Sequence, residues 1–282
     1  KSESQPMFHD ALVPFAERRI IKMIIVFSSL LWLLRFAMGA CAFSFFNRVI
    51  CRLPNRESVV RGRSYCLSCG KSLTVKELIP CISYLWQRGR CRGCGERISG
   101  RYFLVELAGG LLFVFCGAYF GYGEGGILPP KGLLAFAYLG ILTMVAFIDW
   151  DTRIIYNRFH IGIALLGIIS LWLFPEHTLT DRMIGAVVIS FPMLILALIV
   201  EGAFGGGDIK LMAASGFLLG WRGITAAMFM GLLAGGAYCT WMLAGKKLAR
   251  KHSIAFGPFL ALGLGIGFFW GDELAAWYLP FL

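Results

Sequence analysis

Charge is scarce in this chain. Only 15% of its residues are Asp, Glu, Lys or Arg, against about 25% in ordinary soluble domains. That excludes a solvated disordered chain. With 58% hydrophobic residues and a mean hydropathy of +0.72, it also excludes a soluble globular domain. Histidine is scarcer still: His9, His160, His177 and His252 are the four. None stands in a convincing nucleophile–base set with a serine or cysteine. A cleavable signal peptide is not evident, because residues 1–22 are polar and mixed and lead into a long apolar helix. They read as an N-terminal tail with no assigned function. No inverted repeat or pair of broken helices supports a transporter.

What remains is an all-α polytopic membrane protein. Apolar runs at about 23–46, 103–121, 132–148, 159–174, 183–201, 207–220, 223–243 and 254–279 predict eight transmembrane helices. Thirty-five glycines suit close helix packing in lipid. Breaks fall at Pro129-Pro130, Pro175 and Trp221-Arg222-Gly223. The domain division is then a tail at 1–22, a first helix at 23–46, a polar block at 47–101 and a seven-helix part at 102–282.

The polar block carries twelve Lys/Arg against Glu57, Glu77 and Glu96. Beside a membrane span, such a cluster points to anionic lipid and positive-inside topology rather than to nucleic acid. With the N-terminus outside, nineteen Lys/Arg fall on the inner face and seven on the outer. The inner set includes the run from Lys246 to Lys251. The polar block, Asp149 and Asp208 then share the inner face of the membrane.

Within the block, Cys66-Leu67-Ser68-Cys69 and Cys91-Arg92-Gly93-Cys94 are each followed by a glycine, Gly70 or Gly95. Two such pairs predict a closed, structural four-thiolate zinc site of Cys66, Cys69, Cys91 and Cys94. Disulfides are the alternative, disfavoured in a reducing compartment. Cys41, Cys51, Cys81, Cys116 and Cys239 lack a partner pattern and read as small apolar fillers.

Gly205-Gly206-Gly207-Asp208 places an acid between two apolar segments, where a charge at mid-membrane costs about 2.5–3.5 kcal/mol. Such an acid is a site hypothesis, although Asp208 also reads as a helix cap. Asp149 directly follows an apolar span, in Phe147-Ile148-Asp149-Trp150-Asp151-Thr152-Arg153. Two carboxylates brought together run hydrolysis with no Ser, Cys or metal. Spacing alone leaves Asp149 open between a functional acid and an interfacial cluster, and assigns Asp151 to the cluster. A channel or transporter using Asp149 and Asp208 as ion or proton ligands, or a methyltransferase or scaffold without protease activity, is the rival reading.

The ordered motifs resemble the type IV prepilin peptidases, from Gly39 to about Gly263. They comprise Ser44-Phe45-Phe46-Asn47 with Arg52-Leu53-Pro54; the two Cys pairs with Ile79-Pro80, Ser83-Tyr84 and Arg88-Gly89-Arg90; Gly100-Arg101-Tyr102 with Glu106; the Asp149 segment; Gly205–Asp208 with Lys210-Leu211; and Phe256-Gly257-Pro258. Phe43, Leu67, Glu77-Leu78, Phe103, Tyr156 and Ala255 depart from the family's pattern. The resemblance implies an eight-span aspartyl protease that removes the short positive leader of prepilins or pseudopilins. It also implies S-adenosylmethionine-dependent methylation of the new N-terminus. It carries the catalytic pair to Asp149 and Asp208, with Gly205, Gly206, Gly207 and Lys210 as the supporting loop. Glu106 is the candidate acid for methylation, with a helix-end pair to Arg101 or Tyr102 as the structural alternative.

Overall fold

The computed structural model describes residues 9–121, 128–245 and 255–278. The basic run from Lys246 to Lys251 lies outside them.

The first helix, α1 (His9–Arg52), takes up the end of the expected tail and the start of the polar block. It ends two residues before Pro54, whose ring disfavours helix at the preceding position. Its stretch from Ile20 to Leu34 turns large apolar side chains outward, as lipid-facing helices do. Nearer its end, α1 packs on α3 (Gly100–Phe120). Phe43, fully buried, lies directly against Gly109, so the missing side chain on α3 makes room for a ring on α1.

Between these helices the chain forms a small domain with little regular structure: a 3-10 turn at Val75–Leu78, the short helix α2 (Ile82–Trp86) and two isolated bridges, Tyr65–Ser72 and Arg90–Arg97. Each bridge closes one cysteine hairpin. Arg52 organises the entry to this domain. It is buried and donates to the carbonyls of Ser58, Arg61 and Arg63 at 2.8–3.0 Å.

The remaining helices are α4 (Pro130–Thr152), α5 (Asn157–Leu173), α6 (Leu179–Val188), α7 (Ser190–Ile199), α8 (Gly206–Ala244) and α9 (Gly257–Tyr278). A single distorted residue, Ile189, separates α6 from α7. Among the described residues, six helical stretches are long and apolar enough to cross a membrane: α1, α3, α4, α6–α7, α8 and α9. The 17-residue α5 is a shorter apolar helix.

α8 joins two segments that the sequence pattern separates. It is interrupted at Gly220, whose φ of 73° is a left-handed value that suits glycine. Gly207, near its start, packs on Ile155; Gly220 lies against Asp181 at the head of α6. Beyond the break, Gly223 meets Gly267 and Gly235 meets Phe256 and Phe259. The second half of α8 thus runs antiparallel to α9, back to the end where α8 began.

Arg182 pins the far end of this arrangement. Fully buried, it donates to the carbonyls of Ser170 on α5, Phe174 just past its end, Phe217 and Leu218 on α8, and His177. It also donates to the Ser170 hydroxyl at 2.5 Å. Carbonyls at helix ends lack intrahelical partners, and one guanidinium supplies several of them here.

Candidate active site and metal centre

Asp149 sits in the last turn of α4, where Arg153, in the left-handed conformation, ends the helix by donating its N–H to the Asp149 carbonyl at 2.8 Å. The side chain is only 6% exposed. Its Oδ2 accepts the backbone N–H of Gly257 at 2.9 Å. Gly257 opens α9, so this N–H is one of the helix's four unpaired donors, at the end that favours negative charge. A Cβ on Gly257 would stand 2.6 Å from Asp149 Oδ2, so a side chain there displaces the carboxylate.

Asp208 is half-buried in the first turn of α8 and reaches back to accept the Gly205 N–H at 3.2 Å. It is therefore a helix cap as well as an acid in the cleft. The Asp149 carboxylate is near enough to act on it electrostatically. Gly207 lets α8 start close to the link between α4 and α5, since a Cβ there would stand 3.0 Å from that of Ile155. Lys210 donates to Asn157 Oδ1 at 3.3 Å. Phe204 and Phe256, with ring centroids 6.0 Å apart, join the loops before α8 and α9.

Asp151 is held elsewhere. It pairs with Arg101 at 2.6 Å, and the same guanidinium lies over the Phe147 ring. This pair ties the head of α3 to the end of α4. It also corrects the expectation that Arg101 or Tyr102 pairs with Glu106. Tyr102 meets the Cys51 thiol at 3.1 Å. Glu106 accepts the Cys81 N–H at 2.8 Å, bracing a residue whose φ is 61°. Burial first and the Glu106 carboxylate second push the Cys81 thiol up to about 11, so it is an inert filler at neutral pH. Arg35 lies over the Trp32 ring at 5.0 Å.

The four cysteines converge. The sulfurs of Cys66, Cys69, Cys91 and Cys94 all lie within 4.8 Å of one another, and all are free thiols. The hairpins are built alike. Cys66 donates to Lys71 and Gly70 to Cys66, as Cys91 does to Glu96 and Gly95 to Cys91, all at 2.8–2.9 Å. Gly70 and Gly95 take φ of 70° and 76°. A tetrahedron with metal–sulfur bonds of about 2.3 Å sets its sulfurs about 3.8 Å apart. Cys66 and Cys94 stand at 3.9 Å. The backbone N–H groups of Cys69 and Ser68 pull the Cys66 thiol down to about 6. For Cys94, an N–H from Glu96 is outweighed by desolvation and the neighbouring thiols, which push it up to about 11.

Sequence reasoning gave no role to Gly257 or Arg182. Gly257 lay within a recognised motif; Arg182 carried no local signal.

Two protein families match this chain: the bacterial Peptidase A24 N-terminal domain over residues 37–120, and the type IV leader peptidase family over residues 136–240. Among curated relatives, a protein of Bacillus subtilis (strain 168) named prepilin leader peptidase/N-methyltransferase is 32% identical over 244 residues, covering 86% of this chain and 96% of its own. One of that name from Aeromonas hydrophila is 33% identical over 288 residues, covering 90% and 94%. Another from Myxococcus xanthus (strain DK1622) is 37% identical over 205 residues, covering 71% and 59%. No solved structure matches.

Proposed function

The chain belongs to the type IV leader peptidase family and carries its prepilin leader peptidase/N-methyltransferase function; from that premise we propose that Asp149 and Asp208 are its proteolytic pair. The observation that carries the reading is that each acid lies at a helix end and accepts a backbone N–H there, Asp208 from Gly205 and Asp149 from Gly257.

Two neighbouring carboxylates do not ionise together comfortably, so one keeps a proton. The ionised one takes a proton from water as its oxygen attacks the scissile carbonyl. The protonated one hydrogen-bonds the carbonyl oxygen, and a proton then passes to the departing amine. The substrate is a prepilin or pseudopilin, cut after its short positive leader. The glycines let the loop bearing Asp208 move towards Asp149 when substrate enters.

We assign eight crossings, with the cysteine domain and the acids on the cytoplasmic side of the inner membrane. The excess of Lys/Arg on that face supports the orientation. For α8, 39 residues at 1.5 Å per residue make about 58 Å, roughly twice the hydrocarbon thickness. The reversal at Gly220 supports one crossing for each half.

The four thiolates suit a structural zinc ion, since they close a tetrahedron and leave no position for substrate. S-adenosylmethionine supplies the electrophilic methyl group for methylation of the new N-terminal amine. In the cysteine domain an open cavity of about 560 Å³, lined by Glu57, Ser58, Arg61, Arg63, Tyr65 and Ser72, suits such a zwitterion. Arginines there would face its carboxylate and Glu57 its cationic part. Glu106 serves this half by bracing the Cys81 turn.

The test is to incubate purified protein with a prepilin, with and without S-adenosylmethionine, and weigh the products. Leader loss in both samples and methylation only with the donor are expected. No leader loss rejects the reading.

A further inference from the structure

The cysteine domain carries an apolar face that its own fold leaves uncovered. In α2, Ile82, Leu85 and Trp86 stand at i, i+3 and i+4 and so share one side of the helix. They are 57%, 63% and 69% exposed. Ile79, also exposed, precedes Ile82 by one turn, and its carbonyl accepts the Ser83 N–H at 3.0 Å. Contiguous exposed apolar patches of this kind mark contact surfaces.

The opposite side of α2 shows where the face lies. Tyr84 stacks on Phe103 in the first turn of α3, with ring centroids 5.4 Å apart. Glu106, in the next turn, accepts the N–H of Cys81 at the head of α2. α3 is long and apolar enough to cross a membrane. Its 21 residues make about 31 Å, close to the hydrocarbon thickness, so its first turns stand at the boundary. α2 is therefore strapped beside a crossing helix at the depth where lipid headgroups meet acyl chains. The surroundings are cationic. Across residues 86–98, Arg88, Arg90, Arg92 and Arg97 are exposed and Glu96 is the single acid. The Arg92 guanidinium lies 5.8 Å from the Trp86 ring centroid.

The geometry points to α2 as an interfacial membrane anchor: Ile82, Leu85 and Trp86 enter the phospholipid bilayer that α3 crosses, and the arginines around them face the lipid phosphates. Tryptophan suits that depth because its ring is apolar and its N–H polar. Arginine pairs with phosphate through two parallel hydrogen bonds. The cysteine domain is then held to the bilayer along its flank as well as by the helices at its two ends. The anchor stands apart from the assignment of Asp149 and Asp208.

The test places the full chain in phospholipid bilayers, plain or with brominated acyl chains, which quench tryptophan on contact. The difference in emission between wild type and Trp86→Phe isolates this ring among the eight tryptophans. That difference is expected to lose about half its intensity in the brominated bilayer, as for a ring sunk into the headgroup/acyl boundary. An undiminished signal overturns the proposal. So does a signal that lipid leaves alone and added prepilin shifts, which marks a substrate-docking face instead. Should Trp86→Phe not fold, wild type is irradiated in bilayers holding a lipid with a diazirine in its acyl chain. Adducts on residues 82–86 are expected; their absence, with adducts present on α1, overturns the idea.

Discussion

Gly257 donates its backbone N–H to Asp149 Oδ2 at 2.9 Å, joining residues 108 positions apart. Thus the head of α9 orients the acid at the end of α4. Glycine is required there by space, because a Cβ would stand 2.6 Å from the accepting oxygen. Gly257→Ala is expected to displace Asp149 and lower kcat for leader removal by about a hundredfold. Methylation of a pre-cleaved pilin should be unchanged. Kinetics by mass spectrometry check both halves.

Asp149→Asn and Asp208→Asn are each expected to abolish cleavage. Members of one catalytic unit are not additive, so the double variant should be no worse than either single one. Single-turnover assays at high enzyme concentration measure the residue of activity that decides this.

Asp151→Asn should behave differently. Its partner is Arg101, and both side chains are partly exposed, at 43% and 29%. Losing such a pair costs about 1 kcal/mol or less. Cleavage within about twofold of wild type is expected; a loss like that of Asp149→Asn would contradict the assignment.

Gly207→Val is expected to impair cleavage by tenfold or more, on the order of what misplacement costs, while leaving the protein folded. The added branches meet Ile155, whose Cβ is 3.0 Å from the position a Cβ would occupy. Ile155→Ala in the same chain should return part of the activity. Unchanged cleavage in Gly207→Val would show that the loop does not need to approach the α4–α5 link.

Metal analysis should find one zinc ion per chain, about one equivalent, lost in Cys66→Ser. Removal by a chelator is expected to unfold the cysteine domain and stop methylation before it stops cleavage, because the acids sit on helices outside that domain. Protease susceptibility between α1 and α3 reads the first effect directly.

Much of this was legible in the sequence because the signals are local. Apolar runs mark the helices, and paired Cys-x-x-Cys turns mark the two hairpins whose four sulfurs converge. Other features depend on contacts between distant backbone groups, which have no period or spacing. Glu106 carries no sequence signal for its bond to the Cys81 N–H, which joins residues 25 positions apart. α1 overran its expected limits because hydropathy marks the lipid-crossing part of a helix, not where its hydrogen bonds stop. The break in α8 fell at Gly220, just before the expected Trp221–Gly223, where its φ permits the reversal. Arg182 resembles an ordinary loop charge until five carbonyls are found around it.

That arginine turns the first half of α8 into a lever. Phe217 and Leu218 are riveted at one end, while Asp208 rides at the other, about 15 Å away at 1.5 Å per residue. A tilt of about 4° over that arm carries Asp208 through about 1 Å. A small displacement at the Asp208 end therefore leaves the Arg182 end of the bundle in place.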